Sequence, residues 1–150
     1  FVLKNEAKIL ISDLSIQRGF GIFDYFRTIH NETAFLEDHL DRFYYSAAEM
    51  NMNVDLNRDR LKEIIQQLIN KNNIPDSGIR ITLTGGYSED GYSLAKPNLL
   101  ISQTAFIFNT ENFNKGIRLV TYNHQRQLPH INKDDRLFAG DPLTTFYKGK

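Results

Sequence analysis

Cysteine is absent from the 150 residues, which removes disulfide frameworks, thiolate nucleophiles and cysteine-based zinc sites from consideration. The absence is compatible with a reducing cytoplasm, the compartment expected for this chain. Net charge is absent too: Lys and Arg number 18, as do Asp and Glu, so no overall field draws nucleic acid or an anionic membrane. No apolar run approaches the roughly 20 residues that a membrane span requires. The opening Phe1-Val2-Leu3-Lys4-Asn5 is too short and wrongly ordered for a signal peptide, so a soluble protein is expected. Phosphate loops are missing as well. Gly19-Phe20-Gly21 is too short for a dinucleotide fingerprint and leads into a strand, and Gly85-Gly86 has no following Gly-Lys-Ser/Thr. No Gly-x-Ser-x-Gly elbow supports a hydrolase triad. No repeat, low-complexity segment or linker divides residues 1–122.

What is present is a patterned chain long enough for one modest core. Ile22 to Ile29 mixes β-branched and aromatic residues with Asp24, Arg27 and other polar groups in a strand-like alternation. His30-Asn31-Glu32-Thr33 reads as a turn and Ala34-Phe35 as a short return strand. Leu36, Leu40, Phe43, Tyr44, Ala47 and Met50 then repeat at helical spacing, and Leu61, Ile64, Ile65 and Leu68 do the same within a second helix over Leu56 to Asn73. Pro75 and turn formers end that helix. Ile79 to Thr84, Asn98 to Gln103 and Ile117 to Tyr122 supply further strands, with a glycine and tyrosine loop at Gly85 to Leu94. Strands on both sides of a helix pair predict an α+β fold, one antiparallel sheet covered on one face by two helices.

Two groups of residues carry candidate chemistry. His39 and Arg42 are three apart and share a helical face. The planar guanidinium of Arg42 can hold a phosphate through two parallel hydrogen bonds; Asp38, four residues earlier, would equally account for it as a helical ion pair worth about 0.3 to 0.5 kcal/mol. His39 has no second ligand at metal spacing and reads as a structural histidine. Phe23, Tyr25 and Arg27 alternate, so they share one face of their strand, either as sheet core or as the wall of a pocket.

The ordered set of strand, turn and His39-x-x-Arg42-aromatic helix resembles the small N-terminal domain of the class IV pyridoxal-phosphate aminotransferases, a family that includes branched-chain and D-amino-acid aminotransferases and aminodeoxychorismate lyase. FVLKNEAKILISDLSIQRGFG is similar to the family's first hairpin and following loop, RITLTGGYSEDGY with PNLLIS to its paired central strands, and RQLPHI to the segment leading to the cofactor lysine. The resemblance covers residues 1–131 and implies the small-domain fold of fold type IV enzymes. It implies pyridoxal 5'-phosphate as cofactor, Arg42 as its phosphate ligand, and Phe23, Tyr25 and Arg27 toward the substrate. It also implies amino acid and 2-oxo acid substrates and a homodimer. The loop Gly85 to Tyr92 lacks the arginine and histidine with which D-amino-acid aminotransferases trap a carboxylate, so the branched-chain, L-specific branch is favoured.

The chain departs from the pattern at residue 132. Asn132 stands where the family carries its Schiff-base lysine, and Lys133 follows one place late, although Asp135, Arg136 and Leu137 keep the register. An amide cannot bond to the cofactor aldehyde in that way, which leaves Lys133 as the candidate catalytic amine. A hairpin turn from further along the family's chain, with intervening material absent, would explain the same residues. The expected organisation is an N-terminal domain over 1–122 and, over 123–150, an interdomain segment with a remnant of the C-terminal domain. A lyase of the same fold and a non-catalytic domain are the competing functions.

Overall fold

The computed structural model describes residues 1–107, 110–116 and 118–121. The segment 123–150, with Asn132 and Lys133, lies outside the described residues.

Asp13 starts the first helix, α1 (Leu14–Arg18): its backbone is extended and its carboxylate accepts the Ser15 N–H at 2.8 Å. Gly19, left-handed at φ 63°, ends it. The hairpin expected at the start of the chain is not found. Residues 1–12 contain no strand, because a turn bonds Glu6 and Ala7 back to Leu3 and the Asp13 cap draws the next residues into α1.

Strand β1 (Gly21–Ile29) and the short β2 (Glu32–Thr33) form a hairpin closed by His30 and Asn31, both left-handed. Two such residues suffice for a tight turn that matches strand twist, so the return strand comes earlier than Ala34-Phe35. Phe35 instead adopts φ 51° and begins α2 (Leu36–Glu49). Helix α3 (Arg58–Asn72) has the Asn57 side chain on the Arg60 N–H at 2.8 Å and a left-handed Asn73 at its end. Strands β3 (Ser77–Thr84) and β4 (Leu99–Ala105) complete a four-stranded sheet in the order β2-β1-β3-β4, antiparallel throughout. A short helix, α4 (Thr110–Lys115), follows. Of the strand expected at 117–122, residues 118–121 are irregular and its two ends lie outside the described residues.

The core lies between one sheet face and the helix pair. Leu40, Phe43 and Ala47 of α2 and Leu61, Ile65 and Ile69 of α3 pack with Ile22, Phe26, Ile79, Ile81 and Leu83 of the sheet, all buried. Each large side chain contributes about 1.5 to 3 kcal/mol by leaving water. On the outside, Arg58 and Lys62 of α3 pair with Glu37 of α2, and Arg58 also with Asp41; these exposed contacts set helix register more than stability. The α+β fold with an antiparallel sheet and two helices on one face is as expected. Among the described residues no helix is long and apolar enough to cross a membrane.

Candidate functional site

Alternation along β1 sends Ile22, Asp24, Phe26 and Thr28 toward the helices and Phe23, Tyr25 and Arg27 to the other face. Asp24 is therefore a carboxylate on an apolar face, fully buried. Such a charge needs partners, and α2 supplies them. Arg42 Nε donates to Asp24 Oδ2 at 2.7 Å and Nη2 to Oδ1 at 2.8 Å, a two-pronged pair along the side edge of the guanidinium. His39 Nδ1 lies 2.6 Å from Oδ1. Since the acceptor is a carboxylate, that nitrogen carries the proton it donates. The 3.1 Å approach of Arg42 Nη2 to the same nitrogen is then a meeting of two donors and not a hydrogen bond. Arg42 Nη1 lies outside the fork, on a side chain 48% exposed. The helical partner considered for Arg42, Asp38, is not the one it uses.

Burial raises the Asp24 pKa, but the hydrogen bonds from Arg42 and His39, with their charges, more than cancel this and hold the carboxyl below its ordinary 3.8. The bond to Asp24 likewise raises Arg42 above its usual value. A carboxyl lowered in the folded state stabilises fully above its unfolded pKa and loses that contribution as pH falls through the folded value. Acid unfolding followed by circular dichroism should therefore steepen below about pH 3.8 in the parent. Asp24→Asn should flatten that limb, and an unchanged acid limb would show that the pair is not coupled to folding.

The opposite face of β1 is a row of aromatic and cationic groups. Register places Phe23 beside Thr82, Tyr25 beside Arg80 and Arg27 beside Gly78. The Arg80 guanidinium stands 3.9 Å from the centre of the Phe23 ring, and that of Arg27 stands 3.7 Å from Phe106. Tyr25 lies across Gly78 so closely that a side chain there would overlap its hydroxyl end. Phe23 is half-buried and Tyr25 and Arg27 are exposed, so this is an open wall and not sheet core. The three residues thus come together, as alternation predicts, whereas Arg42 and His39 belong to the helix side of the same strand.

One end of the sheet is braced by a second buried carboxylate. Asp13 Oδ2 accepts from Thr84 Oγ1 at 2.7 Å and Asn98 Nδ2 at 2.8 Å, tying α1 to the ends of the central strands. The adjoining loop folds around Asp90, which the Ser93 hydroxyl and backbone, the Tyr92 N–H and the Ser88 hydroxyl hold well below the usual carboxylate range. Arg18 reaches this loop from α1, donating to the Gly91 carbonyl at 3.0 Å and stacking on Tyr92 at 3.7 Å. A groove of about 870 Å³ lies elsewhere, between residues 1–9, α3 and β4, and includes none of Arg42, Phe23, Tyr25 or Arg27. Among the described residues no cluster could hold a metal ion.

Asp24, Arg80 and Arg18 were not singled out from sequence. Asp24 had a signal: it shares parity with Ile22 and Phe26 while Arg42 follows on an amphipathic helix. Arg80 and Arg18 needed the strand register and the loop path.

Known proteins bear on this geometry. The amino-transferase class IV family signature matches residues 21–139. A D-alanine aminotransferase of Staphylococcus epidermidis is 26% identical over 85% of this chain and 47% of its own length, and a putative branched-chain-amino-acid aminotransferase of Methanocaldococcus jannaschii is 28% identical over 61% and 32%. The chain spans less than half the length of such curated relatives. In fold it is similar to the branched-chain amino acid aminotransferase of Escherichia coli (TM-score 0.66, 20% identity, 70% of this chain and 37% of that one). It is also similar to a Legionella pneumophila protein described as a putative 4-amino-4-deoxychorismate lyase (0.65, 24%, 71% and 40%). A Thermus branched-chain enzyme of the same fold was solved with pyridoxamine 5'-phosphate (TM-score 0.66, 20% identity, 73% of this chain and 38% of that one). With a match that runs from the start of β1 past the described residues, the chain belongs to the class IV aminotransferase family, and this membership implies pyridoxal 5'-phosphate as cofactor.

Proposed function

We propose that this chain supplies the phosphate-holding helix and one substrate-facing wall of an enzyme that moves an amino group between an L-amino acid and a 2-oxo acid, with branched-chain substrates favoured. The observation that carries the reading is the state of Arg42: a buried carboxylate grips its side edge while Nη1 stays outside the grip on a half-exposed side chain. That arrangement fits a phosphate group, which needs a fixed cation with donors to spare. When bound, the cofactor acts as an electron sink for the substrate's α-carbon.

The chain's own residues do the rest. Arg42 binds and orients the phosphate. Phe23 and Tyr25 form an apolar wall suited to an aliphatic side chain, and Arg27, steadied over Phe106, can take a carboxylate. Lys133, beside Asn132, is the amine proposed to hold the cofactor and to carry the proton at the α-carbon; both lie outside the described residues. Exposed apolar side chains such as Leu10, Ile11 and Phe35 support the further proposal of a cytoplasmic homodimer.

The loop Gly85 to Tyr92 contains no arginine or histidine, which weighs against D-amino acids. Relatives bearing the D-alanine name are under 30% identical, so that substrate belongs in the test. Intact protein with pyridoxal phosphate should transaminate L-leucine or L-valine with 2-oxoglutarate, at least tenfold faster than D-alanine. Pyruvate release from 4-amino-4-deoxychorismate without amino transfer would replace the reading with a lyase. A faster reaction with D-alanine would overturn the L assignment, and no retention of cofactor would point to a non-catalytic domain.

A further inference from the structure

We infer that Asp24, together with His39, is a positioning pair that fixes Arg42 so that it meets the cofactor phosphate with its end edge, Nη1 and the outer hydrogen of Nη2. The inference rests on the reading of Arg42 as the phosphate holder and adds how that arginine is held. A guanidinium offers two edges that can bind an oxyanion with paired hydrogen bonds, the side edge of Nε with one Nη and the end edge of the two Nη atoms. Asp24 occupies the side edge with both oxygens, at 2.7 and 2.8 Å. A phosphate is left the end edge.

The grip comes from groups that cannot easily move. Asp24 is fully buried in the middle of β1, paired on one side with β3, and its Oδ1 also accepts the Tyr25 N–H at 2.8 Å. His39 shares Oδ1 at 2.6 Å and packs its ring 5.4 Å from that of Phe26, a core residue. An arginine on a helix surface ordinarily samples many rotamers, and fixing it before the ligand arrives removes that cost from binding. Asp24 touches neither cofactor nor substrate in this account. Its effect passes through Arg42.

The test compares pyridoxal phosphate with pyridoxal, which lacks the phosphate, by fluorescence titration of the intact protein. The ratio of their dissociation constants isolates the phosphate contribution. Asp24→Asn keeps size but replaces one acceptor with a donor, so the ratio should fall roughly tenfold while pyridoxal affinity changes less than twofold. Asp24→Glu, which keeps the charge, should restore part of the ratio. A purely structural Asp24 would weaken both ligands equally, or neither, and either result overturns the inference. Should Asp24→Asn fail to fold, His39→Gln leaves the carboxylate in place; a roughly threefold fall in the ratio is expected and no fall overturns the pair. Arg42→Ala separates the two levels. If it leaves the ratio intact, the phosphate reading of Arg42 fails; if it collapses the ratio while the Asp24 variants do not, only the positioning role fails.

Discussion

Arg42→Ala is expected to weaken pyridoxal-phosphate binding roughly 10- to 100-fold, the range for losing hydrogen bonds to a charged group. It should also lower the free energy of unfolding by about 2 to 3 kcal/mol even without cofactor. The second effect follows from Asp24, which is fully buried and would keep only His39 among its two charged-type partners on α2. Removing one member of a buried ion pair costs about 3 to 5 kcal/mol, and the lower figure is expected because the Arg42 side chain is 48% exposed and partly screened. Arg42→Lys keeps the charge but cannot span both carboxylate oxygens, so it should recover part of each loss. Cofactor titration and urea unfolding read the two quantities separately. Equal cofactor affinity in the alanine variant and the parent would contradict the phosphate assignment whatever the stability does.

The residues that could be placed from sequence are those whose signal is local. Period-two alternation located β1 and put Phe23, Tyr25 and Arg27 on one face, and helical spacing located α2 and its buried Leu40, Phe43 and Ala47. The shared face of His39 and Arg42 was legible for the same reason. Their common partner was not, because Asp24 is 18 residues from Arg42 and only the packing of α2 on β1 brings them together. Local spacing pointed to Asp38, a nearer carboxylate in sequence but not the one that is desolvated.

Other departures have similar causes. The opening residues carry enough Ile, Leu and Val to suggest a hairpin, yet a strand needs a ladder partner, and beyond the single Asp13–Tyr87 bridge the described structure gives them none. Helix α1 is too short for a periodic signal; its evidence was the Asp13 cap and Gly19 stop. The Arg80–Phe23 stack depends on strand register, which no single segment specifies.

The most direct measurement for the account as a whole is reductive trapping of the cofactor, which has an all-or-none outcome. An aldehyde cofactor held by a lysine amine is fixed by borohydride as a stable secondary amine, and peptide mapping then identifies the residue. Arg42 bears on this outcome as well, because a phosphate anchored at α2 raises the local concentration of the aldehyde near its amine. The intact protein, incubated with pyridoxal phosphate, should show a visible absorbance band that borohydride abolishes, and mapping should place a phosphopyridoxyl group on Lys133. Pyridoxal at the same concentration should leave little adduct. No adduct on any lysine at saturating pyridoxal phosphate would contradict the proposal that this chain serves a pyridoxal-phosphate aminotransferase, and an adduct on another lysine alone would remove Lys133 from it.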